Sequence, residues 1–241
     1  MILVESVDHI TIVRLNRPEK RNAMTPQMLT EFAAAVRNAR NARALVISGV
    51  GDVFCAGFDL AMCRDDRQVL RDLLIGLSDC LCAMRDIEAP IVLSAHGAAV
   101  AGGCALLAGA DFVYADASAK LGYPVLKLGI SPAVNIPFLR RVMADGDVRS
   151  KTLEPEFFSA REAQASGLVH EVTEHVAECE AMAIACAGRM AAKPVWAVHA
   201  TKRWLDDIAP VTRTAEGLSA SLGLVDGSEE RVMLPKAWTK K

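Results

Sequence analysis

Aromatic residues are scarce, at 5% of the 241-residue chain. So few rings cannot build a platform on which nucleic-acid bases stack. Charge of one sign is lacking too: 27 basic residues stand against 29 acidic ones, for a net charge of −2. No basic excess is left to neutralise a phosphate backbone, so no nucleic-acid partner is expected. The seven cysteines include no CxxC pair, and their number is odd. The opening Met1-Ile-Leu-Val-Glu-Ser6 has neither a basic stretch nor a long apolar run, the marks of a secretory leader. Unpaired, buried thiols in a reducing cytoplasm are the expectation. Ala89 to Ala110 carries no formal charge, but Pro90, Ser94, His96 and four glycines interrupt it. A buried strand, a loop and a helix account for it better than a membrane span.

Several reaction classes lose their motifs as well. There is no GxxxxGK[ST] to cradle a phosphate and no GxSxG to present a nucleophilic serine. Gly49-Val-Gly51 lacks the third glycine of a dinucleotide turn. The five histidines have no metal-ligand spacing, and His170 and His175 read as two surface residues. Neither a metal nor a separate cofactor is expected.

What the chain does have is alternation of strand and helix. Ile2 and Val4, then Ile10 and Ile12, mark two short strands joined at Ser6–Asp8. Thr25-Pro26 starts a helix to about Asn38, with Met28, Leu29, Phe32 and Val36 on one face. Ala44–Ser48, Ile91–Ser94, Phe112–Ala115 and Lys120–Gly122 read as strands, and about 66–84 as a second long helix. Beyond Pro132 the pattern is mainly helical, over about 135–143, 160–166, 176–191, 195–205 and 212–224. This is an α/β chain with a helical C-terminal region. Residues 1–190 are expected to form the core and 191–241 a helical region for oligomerisation. The polar stretch after Gly227 is expected to fray or to pack on a neighbouring copy.

Two glycine-rich loops each follow a buried strand: Phe54-Cys-Ala-Gly-Phe-Asp-Leu60 and His96-Gly-Ala-Ala-Val-Ala-Gly-Gly-Cys104. Ligands of open α/β sheets bind beyond strand carboxyl ends, and small residues let backbone N–H groups approach them. Two converging donors of that kind would make an oxyanion hole. Tight strand–helix packing would need the same small residues, so the spacing alone leaves both readings open.

Both loops resemble those of the crotonase superfamily, the enoyl-CoA hydratase/isomerase family. So do Leu15-Asn-Arg-Pro-Glu-Lys-Arg-Asn-Ala-Met24, Gly109-Ala-Asp111, Lys127-Leu-Gly-Ile130 and the run from Ser159-Ala-Arg-Glu-Ala163 to Gly167-Leu-Val169. The matches keep the family's order over about residues 1–205. The resemblance implies a spiral of β-β-α units with a helical trimerisation region, hence a homotrimer or a dimer of trimers. It implies an acyl-CoA thioester as ligand, with coenzyme A part of the substrate, and a place in fatty acid metabolism. The thioester carbonyl would accept hydrogen bonds from the N–H groups of Ala56 and Gly102. Arg17, Lys20, Arg21 and Ala23 would lie along the CoA nucleotide, and Asp59 would fix its loop.

The departures are chemical. The family's hydratases use two glutamates, whose positions here hold Ala105 and Val125. A third proton-handling position, used by some other members, corresponds to Ala133. None of these side chains can transfer a proton, and each lost group forfeits about 10²–10⁴-fold in rate. Hydration by the two-glutamate route is therefore disfavoured. A divergent lyase or isomerase and a catalytically inactive acyl-CoA binding or delivery protein both stay open. His96, Tyr123 and Cys104 are the candidate replacements, Cys104 because a helix N-terminus lowers a thiol pKa. Ser131, Asn135, Asp65 and Asp66 are further pocket candidates.

Overall fold

The computed structural model describes residues 1–154 and 156–239. The chain opens with β1 (Ile2–Val7) and β2 (Ile10–Leu15), an antiparallel hairpin. Its turn is Asp8-His9, both with positive φ, as the twist of a two-residue hairpin requires. Next come α1 (Pro26–Asn38), β3 (Ala44–Gly49), α2 (Gln68–Asp86) and β4 (Ile91–Ala95). Thr25 caps α1 by accepting a hydrogen bond from the Met28 N–H at 3.1 Å. Then follow β5 (Ala98–Val100), α3 (Gly102–Leu107), β6 (Phe112–Asp116) and β7 (Lys120–Gly122). The second half holds α4 (Ile136–Val142), α5 (Asp145–Leu153), β8 (Phe157–Ser159), α6 (Ala160–Ala165), β9 (Glu171–Thr173) and α7 (Val176–Ala191). It closes with α8 (Val195–Ile208), α9 (Thr214–Leu222), α10 (Ser228–Met233) and α11 (Lys236–Thr239).

The strands form two sheets. One runs β1-β2-β3-β4-β6-β9 and is parallel after its first pair; the other runs β5-β7-β8. Strand alternation divides the larger sheet between two cores. Val13, Leu15, Leu45, Ile47, Ile91 and Leu93 face α1 and α2. Ile10, Ile12, Ala44, Val46 and Val92 face α7, which answers with Cys179, Ala183, Cys186, Ala187 and Ala191. That spacing keeps one helical face on the sheet, and its small side chains let the helix lie close.

Helix α8 is tied to this core by charge. Buried Lys202 donates to Asp111 Oδ2 at 2.6 Å and to the Ala89 carbonyl at 2.9 Å. Arg85 and Arg141 converge on Asp206. The opposite side of α8 leaves Trp196, Trp204, Leu205 and Ile208 more than half exposed.

Three elements had no visible pattern in the sequence. Strands β5 and β8 have three residues each, too few to show a period of two. Helix α5 buries only Val148 and Thr152, so it carries no apolar stripe. The tail corrects its expectation: α10 and α11 fold back on their own chain. Leu234 is 1% exposed, Trp238 Nε1–H donates to the Leu60 carbonyl at 2.8 Å, and Arg64 lies 5.5 Å over the Trp238 ring. The last two residues of that stretch, 240 and 241, lie outside the described residues. Among the described residues no helix is long and apolar enough to cross a membrane.

Two substitutions rank the contributions. Leu93→Ala removes a fully buried side chain and should cost about 2–5 kcal/mol. Thr25→Ala loses one cap and should cost about 1 kcal/mol. Urea unfolding with an unchanged slope measures both, and equal losses would contradict the core assignment.

Candidate functional site

The two glycine-rich loops meet. Cys55 and Ala99 form a parallel bridge, with Cys55 N–H donating to the Ala98 carbonyl and Val100 N–H to the Cys55 carbonyl. On its other side the first loop pairs with residues 21–24. Ala56 N–H donates to the Arg21 carbonyl at 2.9 Å, Met24 N–H to Gly57 at 2.7 Å, and Asp59 N–H to Met24 at 2.9 Å. Asn22, wholly buried, locks this arrangement. Its Oδ1 accepts from the Arg17 N–H, and its Nδ2 donates to the carbonyls of Val50 and Val53. Arg21 and Asn22 both take positive φ to fit the turn, which asparagine tolerates well and arginine less so.

This pairing corrects the expected oxyanion donors. The Ala56 N–H is committed to Arg21 and is not free for a ligand. Successive N–H groups of an extended segment point to opposite sides. Asp59 faces residues 21–24, so Phe58 faces the other loop. Neither the Phe58 nor the Gly102 N–H donates to any acceptor among the described residues. Gly57, at φ +96°, makes the turn that separates Ala56 from Phe58. A Cβ at Gly102 would fall 2.8 Å from Phe58 Cε1 and 2.7 Å from Met24 Cε, so a side chain there would have to displace the Phe58 ring and the end of Met24. Ala101 sits at φ +50°, ψ −113°, a conformation costing about 1–3 kcal/mol for a residue with a side chain. Its own N–H donates to the Gly122 carbonyl at 2.8 Å, which holds the bend where α3 begins.

Phe58 and Gly102 line a cavity of about 130 Å³, small beside the ~300–1,000 Å³ of drug-sized sites. Ala105 and Val125, at the glutamate positions, line it as well. Ala133 does not: it borders a separate cleft beside α4 and α9, which corrects its placement. Ser131 and Asn135 face the cavity in that segment. Among the described residues Tyr123 is the cavity's one titratable lining residue, and the rest of the wall is apolar apart from Ser131 and Asn135.

The candidate replacement groups are held in other roles. Tyr123 O–H donates to the Cys104 carbonyl at 3.1 Å. Burial, reinforced by Cys104, pushes its pKa well above the usual phenolic value, so it stays protonated. Burial pushes the Cys104 thiol up to about 11. That outweighs the expected effect of the helix start, and Cys104 is not a nucleophile at neutral pH. His96 lies away from the cavity wall, its Nε2–H donating to the Gly51 carbonyl at 2.9 Å. Asp65 and Asp66 are exposed, and Asp66 Oδ1, just before α2, accepts from the Gln68 N–H at 2.9 Å.

On the expected nucleotide side, Arg17 is pinned. Its Nη1 donates to Asp59 Oδ2 at 2.7 Å and to the Ala23 carbonyl at 3.0 Å. It therefore joins the two loops, and Asp59 fixes its loop through this bond. Lys20 and Arg21 are exposed, with no ion pair among the described residues. The sequence could not separate these three cations. The reason is Asp59, which is distant in sequence and adjacent in space.

Comparison with known proteins agrees with this architecture. A family model described as enoyl-CoA hydratase/isomerase matches residues 5–226. A putative enoyl-CoA hydratase of Thermus thermophilus is 31% identical over 179 residues, 71% of this chain and 70% of the relative. The (E)-benzylidenesuccinyl-CoA hydratase of Thauera aromatica is 28% identical over 207 residues, 84% of this chain and 80% of the relative. The crystal structure of an enoyl-CoA hydratase/isomerase from Mycobacterium paratuberculosis superposes with a TM-score of 0.87 at 26% identity, covering 98% of this chain and 97% of that one.

The thiols give a pH prediction. Burial raises Cys104, Cys63 and Cys179 to about 11 from an ordinary value of 9.0. A raised folded pKa contributes stability that is whole below the unfolded value and is lost as pH climbs through the folded one. Stability should therefore hold to about pH 9 and fall between about pH 9 and 11. Cys104 should resist iodoacetamide in the native protein at neutral pH. Rapid labelling there, mapped by mass spectrometry, would contradict its burial.

Proposed function

The chain belongs to the enoyl-CoA hydratase/isomerase family, and we propose that it binds a short acyl-CoA thioester with the carbonyl between the N–H groups of Phe58 and Gly102. The observation that carries this reading is the pair of unspent backbone donors on the wall of one small apolar cavity. Donors in such a dry site stabilise the negative charge that develops on the oxygen as the thioester becomes an enolate. One such donor is worth about 2.7–4 kcal/mol in a transition state. Lys20 and Arg21, rather than Arg17, are the cations left to meet the nucleotide phosphates.

Among the described residues the lining offers no group to take or give a proton at neutral pH. Ala105 and Val125 cannot, and Tyr123 is protonated and donating elsewhere. Two-carboxylate hydration is thus disfavoured. The reading is a divergent acyl-CoA lyase or isomerase whose protons come from substrate or solvent. The same observation favours a second reading, an inactive acyl-CoA binding or delivery protein. Turnover separates the two, since both require binding. The exposed apolar face of α8, which carries Trp196, Trp204, Leu205 and Ile208, supports assembly into a homotrimer or a dimer of trimers. Seven unpaired thiols suit a reducing compartment such as the cytoplasm.

Calorimetric titration should show CoA thioesters binding much more tightly than the matching free acids. Equal affinities would overturn the ligand class. Crotonyl-CoA, followed by loss of its conjugated absorbance, should be hydrated very slowly or not at all. Ala105→Glu with Val125→Glu should gain measurable hydration once its folding is verified. Fast hydration by the wild type would contradict the mechanism.

A further inference from the structure

The tail is fastened to two stretches of the cavity wall at once. Helix α11 packs on the turn Leu60–Arg64 and α10 on the turn Pro124–Leu128. Leu60 from the first turn and Pro124, Val125 and Leu128 from the second line the cavity. At the first turn Trp238 Nε1–H donates to the Leu60 carbonyl, and the Arg64 guanidinium covers the indole ring. At the second, α10 lies so close to Gly129 that a Cβ there would fall 2.7 Å from Glu230 Cα. Glu230, 2% exposed, joins the tail to the start of α2. Its Oε2 accepts from Arg67 Nη1 at 3.2 Å and from the Asp226 N–H at 3.0 Å.

This part of the wall is the soft part. Leu74, Leu77, Ala105 and Tyr123, elsewhere on it, are buried in the main core, whereas Leu60, Val125 and Leu128 are partly exposed. The tail behind them is lightly held. Helices of six and four residues are not stable alone. The ion pairs of Asp226 with Arg67, at 3.7 Å, and Arg71, at 3.5 Å, join groups at least 35% exposed and contribute little. Segments held in this way open locally far more readily than core helices and strands. We propose that residues 228–238 are a strap: docked, it holds the cavity at about 130 Å³, and its release parts the two turns and admits a longer acyl chain. Trp238 is the positioning residue of the latch and acts through Leu60. This rests on the thioester reading above and adds to it the element that sets how far the acyl group can reach.

The test pairs hydrogen exchange of the full chain, read by mass spectrometry, with calorimetric titration of CoA, butyryl-CoA and octanoyl-CoA. In the wild type octanoyl-CoA should speed exchange over residues 228–238, and butyryl-CoA should not. Trp238→Ala, without ligand, should speed exchange in both turns, 60–64 and 124–129. It should also tighten octanoyl-CoA about tenfold while leaving butyryl-CoA unchanged, because release of the strap no longer costs the latch of one hydrogen bond and one cation–π contact. Should this variant fail to fold, Arg64→Ala loosens the same latch. Octanoyl-CoA binding with the strap's exchange unmoved would overturn the proposal. So would a folded variant whose turns exchange as in the wild type, or one that changes both thioesters equally. If neither thioester binds better than CoA alone, the thioester reading fails and the length selection with it, even where the ligand-free exchange shows the strap holding both turns.

Discussion

The backbone pairing of residues 21–24 with the Phe54–Leu60 loop decides what the site can do. It takes up the N–H groups of Ala56 and Asp59 and leaves that of Phe58 on the cavity side. Asn22 holds the pairing with three side-chain hydrogen bonds to residues on two different loops. Arg17 reinforces it through Asp59, which is why a cation expected on a ligand is bound to protein instead. The strained Ala101 and the side-chain-free Gly102 then bring the second donor against Phe58. Position, not residue type, makes these two N–H groups chemically useful.

Around them the wall is apolar, and this cuts in two directions. A dry cavity strengthens the attraction between backbone donors and a developing oxyanion. It also keeps thiols and phenols protonated, as Cys104 and Tyr123 illustrate. On the proposed reading, two backbone donors without a proton shuttle would polarise a thioester and would rely on the substrate or on water for anything more.

Much of the fold was legible in the sequence because it follows from periodicity. The Thr25-Pro26 start, the apolar face of α1, the buried strands at Ala44 and Ile91 and the small-residue helix at 176–191 each carry a local signal. Strand β5, helix α5 and the docked tail do not, since their partners are distant in the chain. The site divides the same way. The two glycine loops, Ala105 and Val125 could be placed by motif. That Ala56 is spent and Phe58 free depends on the Gly57 turn and on pairing with Arg21, which no motif spacing reveals. Ala133 and Asn135 lie two positions apart in a short helical turn, and only the backbone path shows which of them faces the cavity.

The most direct measurement is amide NMR of the ¹⁵N-labelled protein titrated with a non-reactive thioester such as butyryl-CoA, paired with the infrared carbonyl stretch of a ¹³C-labelled thioester. The account predicts downfield proton shifts at Phe58 and Gly102, none at Ala56, and a lower carbonyl frequency when bound. A shift at Ala56 with Phe58 unmoved, or a carbonyl frequency the same as in water, would contradict it.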